Sequence, residues 1–184
     1  MDSEDNPTPI SFTQPVITPL EIVSKNGLDL QTLSPELQND RQIVLAAVSN
    51  AGNAIQYASS ELQQDKEVVI AAITNNINSI LVIPPAVKQN KDIMIDVVAI
   101  QGDLLWCADT SLHSDRDVVL SAVKHHGIAY MFASSNLRDD DEILIEAMKT
   151  YKSAMHYASH RLQSKKELVM QALEDPNFIL SYIS

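Results

Sequence analysis

The chain has 184 residues, enough for one ordinary domain, and its 45% hydrophobic and 20% charged composition is that of a folded protein with a core of Ile, Val, Leu and Ala, since only 5% is aromatic. A formal net charge of −11 argues against nucleic acid or an anionic membrane as the main ligand, because phosphate binding needs clustered Lys and Arg, and it favours a basic partner instead. Cys107 is the single cysteine, so an intrachain disulfide is excluded.

The first five residues, Met1-Asp2-Ser3-Glu4-Asp5, lack the basic segment and apolar run of a classical secretory signal. No apolar stretch approaches the roughly 18 residues of a membrane span. The expectation is a cytoplasmic protein. Residues 1–14 contain Pro7 and Pro9 without helical periodicity and read as a flexible acidic tail.

From residue 15 onward the sequence repeats every 25 residues, with units starting near 15, 40, 65, 90, 115, 140 and 165. Asp40, Asp65, Asn90, Asp115 and Asp140 hold one column, and Lys165 takes the sixth place. Behind them come the apolar blocks Ile43-Val44-Leu45, Val68-Val69-Ile70, Ile93-Met94-Ile95, Val118-Val119-Leu120, Ile143-Leu144-Ile145 and Leu168-Val169-Met170. All four glycines, Gly27, Gly52, Gly102 and Gly127, share another column. Scattered glycines would rarely do so.

Each unit has a physical reading. The leading Asp or Asn is a preferred N-cap, and an acid two residues later suits the positive end of the helix dipole. A first helix then runs about ten residues, as in Arg41 to Asn50. Gly52 stands where a helix end commonly takes a left-handed residue. A shorter second helix is expected over Ala54 to Ser59. Ser34-Pro35 and its equivalents suit a one-turn helix in the linker, pinned to the core by Leu37, Leu62, Val87, Leu112, Leu137 and Leu162. The leading unit carries Leu20, Ile22, Val23, Leu30 and Leu33 in core columns. The last places Phe178, Leu180, Tyr182 and Ile183 in apolar columns, with Pro176 where its second helix should begin. Helices this short are marginal alone. The first is apolar around most of its circumference and must be covered on several sides. The sequence therefore predicts an all-α solenoid of six to seven tandem helix–turn–helix repeats.

The phrase Asp40-Arg41-Gln42-Ile43-Val44-Leu45-Ala46-Ala47-Val48, then Gly52, Ala54-Ile55-Gln56-Tyr57-Ala58-Ser59 and Leu62, resembles the repeat of the domain-of-unknown-function 4116 family. It recurs from Asp115 to Leu137 and from Asp140 to Leu162. The departures are Ile77 in the glycine column, Pro84-Pro85 in the linker before Asn90, and Lys165 in the cap column. The resemblance implies no catalytic residue. It implies repeats of the kind seen in proteins of intracellular bacteria such as Legionella-like organisms, and so an effector delivered to a host cytosol by a non-classical route, with a host-derived protein as partner.

Function on a solenoid is sought where the repeat varies. The column Gln56, Leu81, Trp106, Met131 and His156 lies opposite the core positions on a helical wheel, so Leu81, Trp106, Met131 and His156 are the candidate partner-binding residues. The alternative is that neighbouring units or the N-terminal tail cover them. Glu67, Asp92, Asp96, Asp117, Glu142 and Glu146 form a second ridge, either an acidic docking surface or a solvated face. His156 and His160 are four apart, a spacing that can carry two metal ligands, but His160 falls in a linker column and no cysteine cluster or zincin glutamate accompanies them. Cys107 shares its column with Tyr57, Val82, Phe132, Tyr157 and Tyr182 and reads as a small buried hydrophobe. No cofactor motif is present. The expected function is a non-catalytic protein–protein interaction scaffold. The competing readings are a structural spacer or oligomerisation module and an atypical enzyme using His156, His160 or Cys107.

Overall fold

In the computed structural model, which describes residues 17–174, the cap column does what its chemistry requires. The Asp40 carboxylate accepts the Gln42 and Ile43 N–H groups, Asp65 accepts from Val68, Asn90 from Asp92 and Ile93, and Asp115 and Asp140 repeat the pattern. Each such cap stabilises its helix by about 1 kcal/mol. Behind the caps run α2 (Arg41–Asn50), α3 (Lys66–Asn75), α4 (Lys91–Ile100), α5 (Arg116–His125) and α6 (Asp141–Met148). They are preceded by α1 (Pro19–Lys25), opened by a capping box of Thr18 and Glu21. They are followed by α7 (Lys166–Ala172), whose Lys165 supplies no cap bond.

The apolar columns resolve into a stripe rather than a fully buried cylinder. Ile43, Val44, Ala47 and Val48 are buried in α2, and the same four columns are buried in α3 to α6. Leu45, Ile70, Ile95 and Leu120 are half-buried, and Ile145 and Met170 are exposed. In the leading unit Val23 and Leu30 are buried, whereas Leu20 is exposed at the end of the stack. Each helix packs on the next one along the chain, α1 on α2 through to α5 on α6, which makes a solenoid of tandem helical repeats.

The second segment of each unit differs from the expected α-helix. It is a 3-10 helix, over Gly27–Thr32, Gly52–Tyr57, Ile77–Leu81, Gly102–Cys107, Gly127–Phe132 and Lys152–Tyr157. Six-residue 3-10 runs are uncommon because their hydrogen bonds are poorer. Here the linker side chains finish them. Gln38 donates to the Leu30 and Leu33 carbonyls, Gln63 to Gln56 and Ala58, Gln163 to Met155 and His156, and His113 Nε2 meets the Leu105 carbonyl at 2.9 Å. The linker turns form as anticipated, with Pro35–Gln38 and Pro85–Gln89 as short α-helices, and Leu62, Val87, Leu112 and Leu162 buried.

The glycine column also works differently from the left-handed helix end that the sequence suggested. No described residue has a positive φ. The glycines are needed for close approach. A Cβ on Gly52 would stand 2.2 Å from the Ala72 carbonyl oxygen of the next unit, and one on Gly27, Gly102 or Gly127 would meet Ala47, Ala122 or Ala147 equally closely. Among the described residues every element is helical or a turn. The tail of residues 1–14 and the apolar columns at Phe178, Leu180, Tyr182 and Ile183 lie outside the described residues.

Candidate partner-binding site

Close approach at the glycines brings units together through a hydrogen-bonded ladder. The Gly27 N–H donates to Asn50 Oδ1 at 2.7 Å, Gly52 to Asn75 Oδ1 at 2.7 Å, Gly102 to His126 Nδ1 at 3.0 Å and Gly127 to Thr150 Oγ1 at 2.8 Å. A second ladder joins the linkers: Ser59 N–H to the Gln38 carbonyl, Asp109 to Lys88, Ser134 to His113 and Ser159 to Arg138. Both ladders break at the α3 unit. Pro84 holds the Ser59 column and has no N–H to donate. Ile77 holds the glycine column; Ile100, in the column of Asn50, Asn75 and Thr150, offers no acceptor, and Gln101, in the column of His126, makes no bond to the Ile77 N–H. Val97 also replaces the alanine that faces each glycine.

The break in the glycine ladder, which falls between the α3 and α4 units, leaves a gap. The isoleucine side chain keeps the α3 unit's 3-10 segment from closing on that of the α4 unit, and this pair packs least of any neighbouring 3-10 pair. Between them lies a groove of about 210 Å³ lined by Ile77, Asn78, Ile80, Leu81, Gln101, Asp103, Leu104 and Trp106. Leu81 and Trp106 flank it with 59% and 53% of their surface exposed. Met131, one unit further, is 36% exposed, and His156 is exposed on the last described 3-10 segment. All four candidate residues therefore lie on the 3-10 face. The groove brings together two of them, Leu81 and Trp106. His156 stands apart, bordering a separate hollow with Met155, Gln163 and Val169.

Asp103 was not among the residues singled out from the sequence. Its column reads Leu28, Asn53, Asn78, Asp103, Ile128 and Ser153, so it is the one charged member. Asn53 Oδ1 accepts a bond from Ser79 Oγ of the next unit at 3.0 Å. Asp103 has Ala129 in the corresponding place, and its Oδ1 is buried without a hydrogen-bond partner. No ion pair among the described residues reaches it.

The acidic ridge is different, because basic residues pair with its carboxylates, Asp92 excepted among the described residues. Arg41 binds Asp65 and Glu67, Lys66 binds Asp96, Lys91 binds Asp115 and Asp117, and Arg116 binds Asp140 and Glu142. Glu146 pairs with Lys149. At the end of the array the signs reverse, with Asp141 accepting from Lys165 and Arg161. The Lys165 departure thus gains an ion pair with Asp141 where it loses a cap. Burial tends to raise the carboxyl of Asp115, but the Lys91 ammonium and the Val118 N–H outweigh it, and the net shift is downward.

Cys107 is half-buried, and burial raises its thiol above the usual value, with Lys88 opposing and Asp103 adding to the shift. The histidines of the His156–His160 pair belong to the α6 unit, with the whole α5 unit between them and Cys107. His160 opens a one-turn helix rather than sharing the 3-10 segment of His156. No group of three or more His, Cys, Asp or Glu among the described residues could hold a metal ion, and no described helix is long and apolar enough to cross a membrane.

A family model described as a domain of unknown function, DUF4116, matches the chain five times, over residues 20–63, 47–88, 90–138, 115–163 and 140–184. No curated protein and no solved structure matches it.

Proposed function

The chain belongs to the DUF4116 family, and from that premise we propose that it is a protein-binding scaffold whose working surface is the 3-10 face around Leu81, Trp106 and Met131. The observation that carries this reading is the groove at the α3–α4 junction, walled by Leu81 and Trp106. Large apolar side chains standing together in solvent mark interaction surfaces, and tryptophan is the residue type most enriched among binding anchors. The long first helices supply rigidity and the 3-10 edge supplies the variable side chains. His156 would extend the face toward the C-terminal units.

The test is affinity capture with the full chain from lysates of the producing cell and of a eukaryotic host. Wild type, Trp106→Ala and Glu61→Ala are compared, the last being an exposed linker position away from the groove. Proteins retained by wild type and Glu61→Ala but lost with Trp106→Ala are the expected result. Identical sets on all three, with folding verified by circular dichroism, overturn the proposal.

A further inference from the structure

We infer that the groove between the α3 and α4 units receives a short extended segment of a partner protein, in which one aliphatic or aromatic side chain is flanked by arginine or lysine. The inference rests on the scaffold reading above and adds the chemistry of the partner.

Three properties of the groove select that occupant. Its volume of about 210 Å³ is below the range of about 300–1,000 Å³ typical of small-molecule sites, so it suits an inserted side chain better than a whole cofactor. Its floor and walls, Ile77, Ile80, Leu81, Leu104 and Trp106, are apolar and call for an apolar insert. The side-chain amides of Asn78 and Gln101 line it and make no hydrogen bond among the described residues, which leaves donors and acceptors for the backbone of an extended peptide.

The charge comes from Asp103. The carboxylates of the helix ridge largely have a basic partner from an adjacent unit, which Asp103 lacks. Lys88 forms no ion pair with it among the described residues. An unpaired carboxylate beside an exposed indole is a complementary setting for a guanidinium or ammonium group, which can bond to the first and stack on the second. The chain's net charge of −11 adds long-range attraction of the same sign. An acidic segment would meet repulsion, and a purely apolar one would leave Asp103 without a partner.

Trp106 is the chain's one tryptophan, so its emission reports occupancy of the groove. The experiment titrates the full chain with capped octapeptides whose central leucine or phenylalanine is flanked by arginine, by glutamate or by serine. Arginine-flanked peptides should shift Trp106 emission saturably and bind at least about tenfold more tightly than the serine-flanked ones. Glutamate-flanked peptides should leave the emission unmoved. Asp103→Asn should weaken the arginine-flanked peptides about three- to tenfold, with thermal unfolding unchanged or improved. Added salt should narrow the gap between arginine and serine peptides.

Equal binding by serine- and arginine-flanked peptides overturns the inference, as does an unmoved emission with every arginine-flanked peptide. If arginine peptides fail while Trp106→Ala still loses captured proteins, the scaffold reading stands and the basic–apolar occupant falls. If they bind while capture is identical for wild type and Trp106→Ala, the groove chemistry stands and the scaffold reading falls.

Discussion

The α2–α3 and α3–α4 junctions are built from the same columns and differ in all three residues of the glycine contact. The first pairs Gly52 with Asn75 and Ala72. The second pairs Ile77 with Ile100 and Val97. At the regular junction the glycine backbone lies against the next helix and its N–H is bonded to an asparagine that also donates to the Ser49 carbonyl of the preceding helix. At the irregular one the glycine, its polar acceptor and the facing alanine are all replaced, and a groove appears with Leu81 and Trp106 on its rim. In this array the absence of a side chain closes a junction and its presence opens one. The surface available to a partner is therefore set by a packing residue that need not touch the partner.

The sharpest way to break the comparison is to impose the irregular residue on a regular junction. Gly52→Ile drives a branched side chain into the Ala72 carbonyl oxygen, a backbone atom that cannot rotate aside. The expected loss is about 1–3 kcal/mol in urea unfolding, the usual range for overpacking a buried site. A change under about 0.5 kcal/mol would mean that the units slide apart freely and that close approach does not hold the array.

The second test rebuilds the regular junction where it is missing. Ile77→Gly alone removes a half-buried side chain, and Ile100→Asn alone adds an amide oxygen that the Ile77 side chain holds away from its N–H. Together they clear the approach to the residue 77 N–H and supply the acceptor that the other rungs have. The double variant should be more stable than the two single effects predict by about 1 kcal/mol, the net worth of one hydrogen bond. Its groove should narrow, and Trp106 emission should shift. Amide exchange gives the same contrast without mutation: the Ile77 N–H should exchange faster than those of Gly27, Gly52, Gly102 and Gly127. Strict additivity of the two substitutions would remove the ladder as the reason for the gap.

Much of this was legible in the sequence because it is local. Asp40 and its equivalents cap helices by bonds to residues two and three positions on, so the 25-residue frame places every one of them. The outward direction of Leu81, Trp106 and Met131 follows from Ala54, Ile55 and Ala58 lying inward, as they do. The 3-10 conformation was not legible, since over six residues α and 3-10 windings put nearly the same columns inward. The glycine function was misread for a related reason. A left-handed helix end depends on neighbours in the chain, whereas the Ala72 carbonyl that Gly52 avoids belongs to the next unit. The Ile77 departure was visible as a break in the frame, but the groove it opens is a property of the distance between units. Asp103 could have been noticed as the only charge in its column. That it is unpaired depends on Ala129 standing where Ser79 serves Asn53.

The smallest expected effect concerns the caps, where the α3–α4 junction differs from the α4–α5 junction beyond it. The α4 helix is capped by Asn90 and the α5 helix by Asp115, which also receives Lys91. Lys66, lacking a charged cap to meet, reaches Asp96 instead. Because the Asp115 carboxyl is held below its ordinary value in the folded chain, folding is favoured by its ionised form. That contribution is fully present above the unfolded carboxyl value, near pH 4, and is lost as pH falls through the lowered folded value. Asn90 has no such step. Asp115→Asn keeps a competent cap, so it should cost well under about 1 kcal/mol at neutral pH and flatten the decline in stability below about pH 4. Asn90→Asp should do the reverse, adding a carboxylate within reach of the chain's own Lys66 and steepening that decline. Unfolding midpoints of the three proteins between neutral and acid pH decide it. Parallel profiles would assign the acid response to other carboxylates and leave the caps as hydrogen-bond acceptors alone.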